Sequence, residues 1–272
     1  MAVEAADMEF YLSANTPDDD SSTSGGAIDA TVQLMCRTLS KELNSGSGDV
    51  IDVVSSDAGD IHNVVIQGYG TDGTWILETL AITGTTNAHT TATFLHLCSV
   101  IQAEAGEGTL TVGEYNGGGA VNEIFVTPIG EKGCQDLFLK AEANASGGAT
   151  KKFYEKLFIK NTHATDALIS CVVWLNEDED TELTMDCEMS GDATLTGGSE
   201  TTTNRVTEPS TGGTYAWAEH ATEGAGHTMG DAEDGNMIAA EAQGVWVELT
   251  LADGRTPEQV VEWAPKIHGS AT

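Results

Sequence analysis

The sequence predicts an all-β protein, and three observations carry that prediction. Short apolar segments recur with a period of two along nearly the whole chain. Glycine is abundant, at 31 of 272 residues, and lies with serine and threonine between those segments, as turns require. Long runs with apolar residues at helical spacing are missing. Evenly spaced short strands with turn signals argue for sandwiches or barrels.

The chain opens with a strand at Met8 to Leu12, followed by an Asp/Ser/Gly-rich loop through Gly26. Ala27 to Leu39 reads as either strand or short helix. After a polar break at Asn44 to Gly48, alternation governs Val50 to Val54 and Asn63 to Gly68. Gly70-Thr71-Asp72-Gly73-Thr74 places an Asp-Gly pair between apolar stretches, which predicts a hairpin returning through Trp75 to Ile82. Ala92 to Ile101, Gly108 to Gly113 and Asn122 to Val126 complete this block of short strands. Beyond Pro128, strands are expected at Asp136 to Lys140, Lys152 to Lys160 and Leu168 to Leu175, with a further one over Thr181 to Met189. Gly198 to Gly235 reads as mostly loop. Gly244 to Leu251 is a strong strand, Asp253-Gly254 marks a turn, and the last strand is expected at Val260 to Trp263, with Ile267 near the end.

Charge restricts the function classes. Asp and Glu number 43 against 11 Lys and Arg, a formal net charge of −32. The pI is near 4.1. Such a surface repels phosphate backbones and anionic lipids, so neither nucleic acid nor a membrane is an expected partner. It also suits salty surroundings, where counterions screen self-repulsion. Met1 to Phe10 lack a basic segment followed by an apolar run, and no apolar stretch approaches the ~18 residues of a membrane span. A soluble protein made in the cytoplasm is the expectation. Cys36, Cys98, Cys134, Cys171 and Cys187 form no Cys-x-x-Cys pair and are odd in number, which predicts buried free thiols.

No motif points to catalysis. Gly-x-Ser-x-Gly, a phosphate-binding loop ending in Lys-Ser/Thr and His-Glu-x-x-His are all missing, and Gly117-Gly118-Gly119 reads as a loop. Among the histidines, the pairs His89/His96 and His220/His227 lack helix-face ligand spacing, although the second flanks Glu219, Glu223 and Asp231. Glu177-Asp178-Glu179-Asp180 and Asp18-Asp19-Asp20 lack the spacing and turn glycine of a calcium loop, and read as solvated tips. No enzyme, no cofactor and no metal are therefore expected. Trp174 and Trp246 lie in apolar strands and are expected in the core, whereas Trp75 and Trp263 face either way. Trp217, in a polar stretch, is the candidate contact residue.

Two sets of residues carry a resemblance. Phe10-Tyr11-Leu12-Ser13 with its acidic loop and Gly25-Gly26-Ala27-Ile28, then Lys156 to Thr165 leading to Val172-Val173-Trp174-Leu175, then Val245 to Thr250, resemble a family of tailed-virus virion proteins. Val65 to Gly73 leading into Glu78 to Thr86 looks like a hairpin of phage head and tail proteins. The resemblance implies an immunoglobulin-like β-sandwich from residues 1–46 with 129–272, carrying an inserted β domain at 47–128. It implies a decoration (cement) protein of a tailed bacteriophage or archaeal tailed virus. Such a protein would sit on the outer capsid surface as a homotrimer bound to the major capsid protein. Alternatives are a tail-tube, neck or fibre component and a carbohydrate-binding attachment module. The scarce cations Lys151, Lys152, Lys156 and Lys160 are expected on a docking edge, with Trp217 as a further contact.

Overall fold

The computed structural model describes residues 3–35, 43, 48–115, 117, 122–142, 144, 147–177, 183–189, 200–209, 217, 222–229, 234–254 and 263–271. Of residues 176, 177, 183–189, 263, 264 and 271 the backbone alone is considered. Cys36, the acids Asp178 to Asp180, Glu219, His220, Asp231, Gly118, Gly119 and the expected strand residues Val260 to Glu262 lie outside the described residues.

Among the described residues the protein is all-β. Its strands are β1 (Met8–Asn15), β2 (Gly25–Leu34), β3 (Ile51–Ser55), β4 (Asn63–Tyr69), β5 (Trp75–Ala81), β6 (Ala88–His89), β7 (His96–Gln102) and β8 (Leu110–Glu114). They continue as β9 (Asn122–Thr127), β10 (Gly133–Gln135), β11 (Lys151–Asn161), β12 (Leu168–Glu177), β13 (Leu183–Met189), β14 (His227–Thr228), β15 (Ala242–Leu251) and β16 (Trp263–Ala271). Two short 3-10 turns span Ala5–Asp7 and Glu223–Ala225. The ambiguous stretch from Ala27 is strand as far as Leu34.

The chain divides into two compact units, Met1–Asp29 with Leu137–Thr272, and Ala30–Asp136. The expected boundaries at 46/47 and 128/129 thus differ from the observed 29/30 and 136/137. The reason is β10, which pairs in parallel with the second half of β2 and antiparallel with β7, drawing residues on both sides of the expected insert into the second unit.

In the first unit one sheet runs β13-β15-β11-β1-β2 and a second runs β14-β12-β16. β11 and β15 are the long central pair, with Leu157 opposite Val245 and Lys156 opposite Trp246. Both strands are buried on both faces over most of their length. Phe153, Leu157 and Ile159 share one face with Val245, Val247 and Leu249, while Tyr154, Lys156 and Phe158 share the other with Trp246 and Glu248. In β12, Cys171, Val173 and Leu175 are buried while Val172 and Trp174 are half-buried, the pattern of a sheet covered on one side. Trp174 is therefore not the core residue its apolar neighbours suggested: the odd positions of the strand take the inner face. Among the described residues β16 pairs only with β12, and Pro265 is tolerated on this edge because its missing N–H is not needed for a second strand there.

The expected strand at Asp136 to Lys140 is not one. Phe138 and Lys140 adopt left-handed backbone, φ 61° and 53°, which breaks any ladder. Leu137, Phe138 and Leu139 are nonetheless buried, and their backbone is held by side chains described below.

The second unit holds one sheet in the order β2-β10-β7-β4-β5 and another in the order β6-β3-β8-β9. Its core gathers Ile51, Val53, Val64, Ile66, Leu97 and Val100, all nearly or fully buried. The β4–β5 hairpin forms as the Asp-Gly pair predicts. Gly73 takes φ +75°, the Gly70 carbonyl accepts the Gly73 N–H at 3.0 Å, and Asp72 accepts the Thr74 N–H at 3.1 Å.

Candidate functional site

The expected docking lysines lie on β11 or at its start, and the structure shows what each one touches. Lys151 Nζ lies 2.5 Å from Asp20. Lys152 Nζ lies 2.6 Å from the buried Glu248 carboxylate. Lys156 is completely buried, with its ammonium 4.9 Å from the Phe158 ring centroid and 5.8 Å from that of Trp246. Lys160 stands 5.6 Å from the Tyr11 ring centroid. Lys156 therefore cannot belong to a docking edge, because both faces of β11 are covered at that point. Lys151 and Lys152 are committed to carboxylates of their own chain.

Trp217 is half-buried. Its indole N–H donates to Glu208 at 2.7 Å, and its ring meets Tyr154 at a centroid distance of 5.2 Å and 50°. Tyr154 is directly opposite Glu248 across the sheet. Burial first, then the Glu248 carboxylate beside it, push the Tyr154 phenol up, so it stays a neutral donor. Trp246, expected in the core, is fully buried and donates its indole N–H to Glu200 at 2.8 Å. Gly25 (φ +88°) makes room for that ring: a Cβ there would lie 2.4 Å from Trp246 Cη2.

The most connected polar group is one the sequence did not single out. Arg205 is buried, and its guanidinium donates to the carbonyls of Pro17 at 2.9 Å, Leu139 at 2.6 Å and Lys140 at 3.3 Å. It also meets Asp20 at 3.2 Å and the buried Glu155 carboxylate at 3.4 Å. Glu155 accepts the Phe138 N–H at 2.8 Å. These contacts explain how the left-handed residues of segment 137–140 are held. Burial drives the Glu155 carboxyl up to about 7, against the downward pull of that N–H and of Arg205.

The Asp18-Asp19-Asp20 loop is correspondingly not a free solvated tip. Asp18 pairs with Lys140 at 2.7 Å, and Asp20 with both Lys151 and Arg205. Asp19 accepts the Ser21 and Ser22 hydroxyls, each at 2.6 Å, and these bonds hold its carboxyl down at about 2. A run of acids that is self-repelling in isolation is clasped by cations 122 to 185 residues away in sequence.

In the second unit, Asp60 is buried and accepts the Ser55 hydroxyl at 2.5 Å and the N–H groups of Glu107 at 2.8 Å and Gly108 at 3.1 Å. Burial alone would raise its carboxyl, but these donors hold it below the usual range. Asp52 is the opposite case. It is fully buried, and burial raises its carboxyl despite Asn87 and the His89 ring, whose Nδ1 is 4.0 Å away. His89 is exposed and packs against Tyr115 at a centroid distance of 4.9 Å.

The remaining candidates are placed as follows. His62 Nε2 and Gln102 share a hydrogen bond of 2.7 Å, His163 Nδ1 accepts the Asp166 N–H at 2.9 Å, and His268 contacts Glu223. Among the described residues no three His, Cys, Asp or Glu side chains are grouped to hold a metal ion. Cys98, Cys134 and Cys171 are buried thiols outside any disulfide, and burial pushes the Cys171 thiol up to about 12. A cavity of about 160 Å³ in the second unit is lined by Met35, Ile124, Phe125, Thr127 and Cys134 among others. That is below the ~300 Å³ at which ligand pockets begin. No helix of the described residues is long and apolar enough to cross a membrane. No family model, no curated protein and no solved structure matches this chain.

Proposed function

We propose that this chain is a virion structural protein of a tailed bacteriophage or archaeal tailed virus, a decoration protein that binds the outer surface of the major capsid protein lattice as a homotrimer. Its first unit is then an immunoglobulin-like sandwich, with the β13-β15-β11-β1-β2 sheet packed on β14-β12-β16, and its second unit an inserted β module. The observation that carries the reading is how the charge is used. With only 11 basic residues against 43 acidic ones, Arg205, Lys140 and Lys151 are spent clasping the chain's own acidic loop. The exterior is left strongly anionic, suited to packing among neighbours in salt rather than to gripping nucleic acid or lipid.

The mechanism is bridging. A copy that contacts several capsid subunits binds the assembled lattice and not its separated parts, so its binding free energy opposes disassembly. The test is to add the purified chain to particles that lack it and to measure both bound copies by gel densitometry and the temperature of genome release. Hundreds of copies per particle with a raised release temperature are expected. About a dozen copies would place the chain in the neck or tail instead, and no binding would reject a virion role.

A further inference from the structure

The face of β4 and β5 turned away from the core of the second unit carries no charged side chain. Val64 and Ile66 point to the core, so Asn63, Val65, Gln67 and Tyr69 of β4 point out; on β7 the same side carries the half-buried His96 and the fully buried Ser99, so the open part of the face lies on β4 and β5. Register places His96, Tyr69 and Trp75 side by side in one row across the three strands. Gln67 lies opposite Leu77, Val65 opposite Thr79, and Asn63 opposite Ala81 on the same face. None of these residues is Asp, Glu, Lys or Arg, in a chain with 43 acidic residues. The aromatic row and Gln67 are half-buried, Asn63, Thr79 and Ala81 are exposed, and Leu77 is 56% exposed.

We propose that this face binds a neutral oligosaccharide. Tyr69 and Trp75 meet edge to face at 79°, with centroids 4.9 Å apart, so each ring braces the other before any ligand arrives. Their apolar surfaces suit the C–H faces of sugar rings, while Gln67, Asn63 and Thr79 supply amide and hydroxyl groups for the sugar hydroxyls. The side chains stand on β4 and its two hydrogen-bonded neighbours, a rigid base for a site. Charge selects a neutral ligand: the net −32 repels an anionic glycan, and a cationic segment would find no carboxylate among these side chains. Area argues against a second copy. Two strands of about seven residues offer roughly 200 Å², well short of the ~800 Å² per partner of a stable protein interface.

The experiment is affinity electrophoresis of the full chain in gels cast with neutral polysaccharides (a β-glucan, xylan, galactomannan and an α-glucan), with alginate as the anionic control. The expected result is retardation by at least one neutral polymer and none by alginate. Trp75→Ala should reduce that retardation at least tenfold, and Gln67→Ala, which removes a half-exposed amide, severalfold. Ile238→Ala, at an exposed position of the first unit, should leave it unchanged. Circular dichroism checks that the variants fold, and Gln67→Ala keeps the test valid if Trp75→Ala does not. The proposal is overturned if no neutral polymer retards the protein, or if retardation survives both Trp75→Ala and Gln67→Ala. It is equally overturned if light scattering shows a dimer that Leu77→Lys dissociates, because the face is then a protein interface.

Discussion

Replacing Arg205 with alanine is the sharpest test of how the first unit is held together. The change removes the donors to the Pro17, Leu139 and Lys140 carbonyls, and it leaves the buried Glu155 carboxyl without its positive neighbour. Removing one partner of a buried pair costs about 3–5 kcal/mol when the other must stay charged. Glu155 has a way out, because burial already raises its carboxyl to about 7. A group whose folded pKa is raised stabilises the fold fully below its unfolded value. That contribution is lost as pH climbs through the folded value, at up to about 1.4 kcal/mol per pH unit. Without Arg205 the folded pKa rises further, so the loss continues to higher pH. Arg205→Ala should therefore cost about 3–5 kcal/mol at pH 8 and at least about 1 kcal/mol less at pH 6. Urea unfolding followed by tryptophan fluorescence reads this out, and at a slope of about 3 kcal/mol/M the pH 8 midpoint falls by more than about 1 M. A midpoint shift below about 0.3 M, or one equal at both pH values, would refute the reasoning. Arg205→Met with Glu155→Leu, which removes both charges together, should recover more than half of the loss.

Other outcomes follow from the same contacts. Lys151→Ala opens a partly exposed pair whose carboxylate keeps Arg205, so urea unfolding should move by less than about 1 kcal/mol. Gly25→Ala forces a side chain into left-handed backbone and against Trp246, and should lower stability by at least about 2 kcal/mol, measured by thermal unfolding. Asp52 has a raised carboxyl, so its burial favours the fold at low pH and weighs against it as pH rises. Asp52→Asn should narrow the stability difference between pH 5 and pH 8, and an unchanged profile would contradict the assignment. Cys98, Cys134 and Cys171 should resist iodoacetamide in the native protein and react after denaturation, as mapped by peptide mass spectrometry.

Periodicity made the strand content legible, and turn chemistry made the β4–β5 hairpin legible to within a residue or two. Long-range pairing was not. Nothing local in Asp18-Asp19-Asp20 indicates that Lys140, Lys151 and Arg205 close on it, because the fold brings those partners from 122 to 185 residues away. Lys156 was misleading for a related reason: a lysine reads as surface unless both faces of its strand are covered. The available signal was that Phe153-Tyr154 and Leu157-Phe158-Ile159, on either side of Glu155-Lys156, place large apolar groups on both faces of the strand. Trp174 failed on parity, since the odd positions of β12 point inward. The uncharged face of β4 and β5 was written in the alternation of Asn63, Val65, Gln67 and Tyr69. It became visible only when register put His96 and Trp75 beside Tyr69.

The parallel pairing of β10 with β2 has a consequence for anyone wishing to swap modules. Val32 lies beside Gly133 and Leu34 beside Gln135, so the second unit receives the chain and returns it travelling in the same direction. Its first residue, Ala30, and its last, Asp136, are then separated by about five strand positions, roughly 17 Å. A deletion that joins Asp29 to Leu137 through a two-residue turn would leave that gap unspanned, whereas an extended tether of about six residues would bridge it. Any replacement cargo would need its own ends set a comparable distance apart.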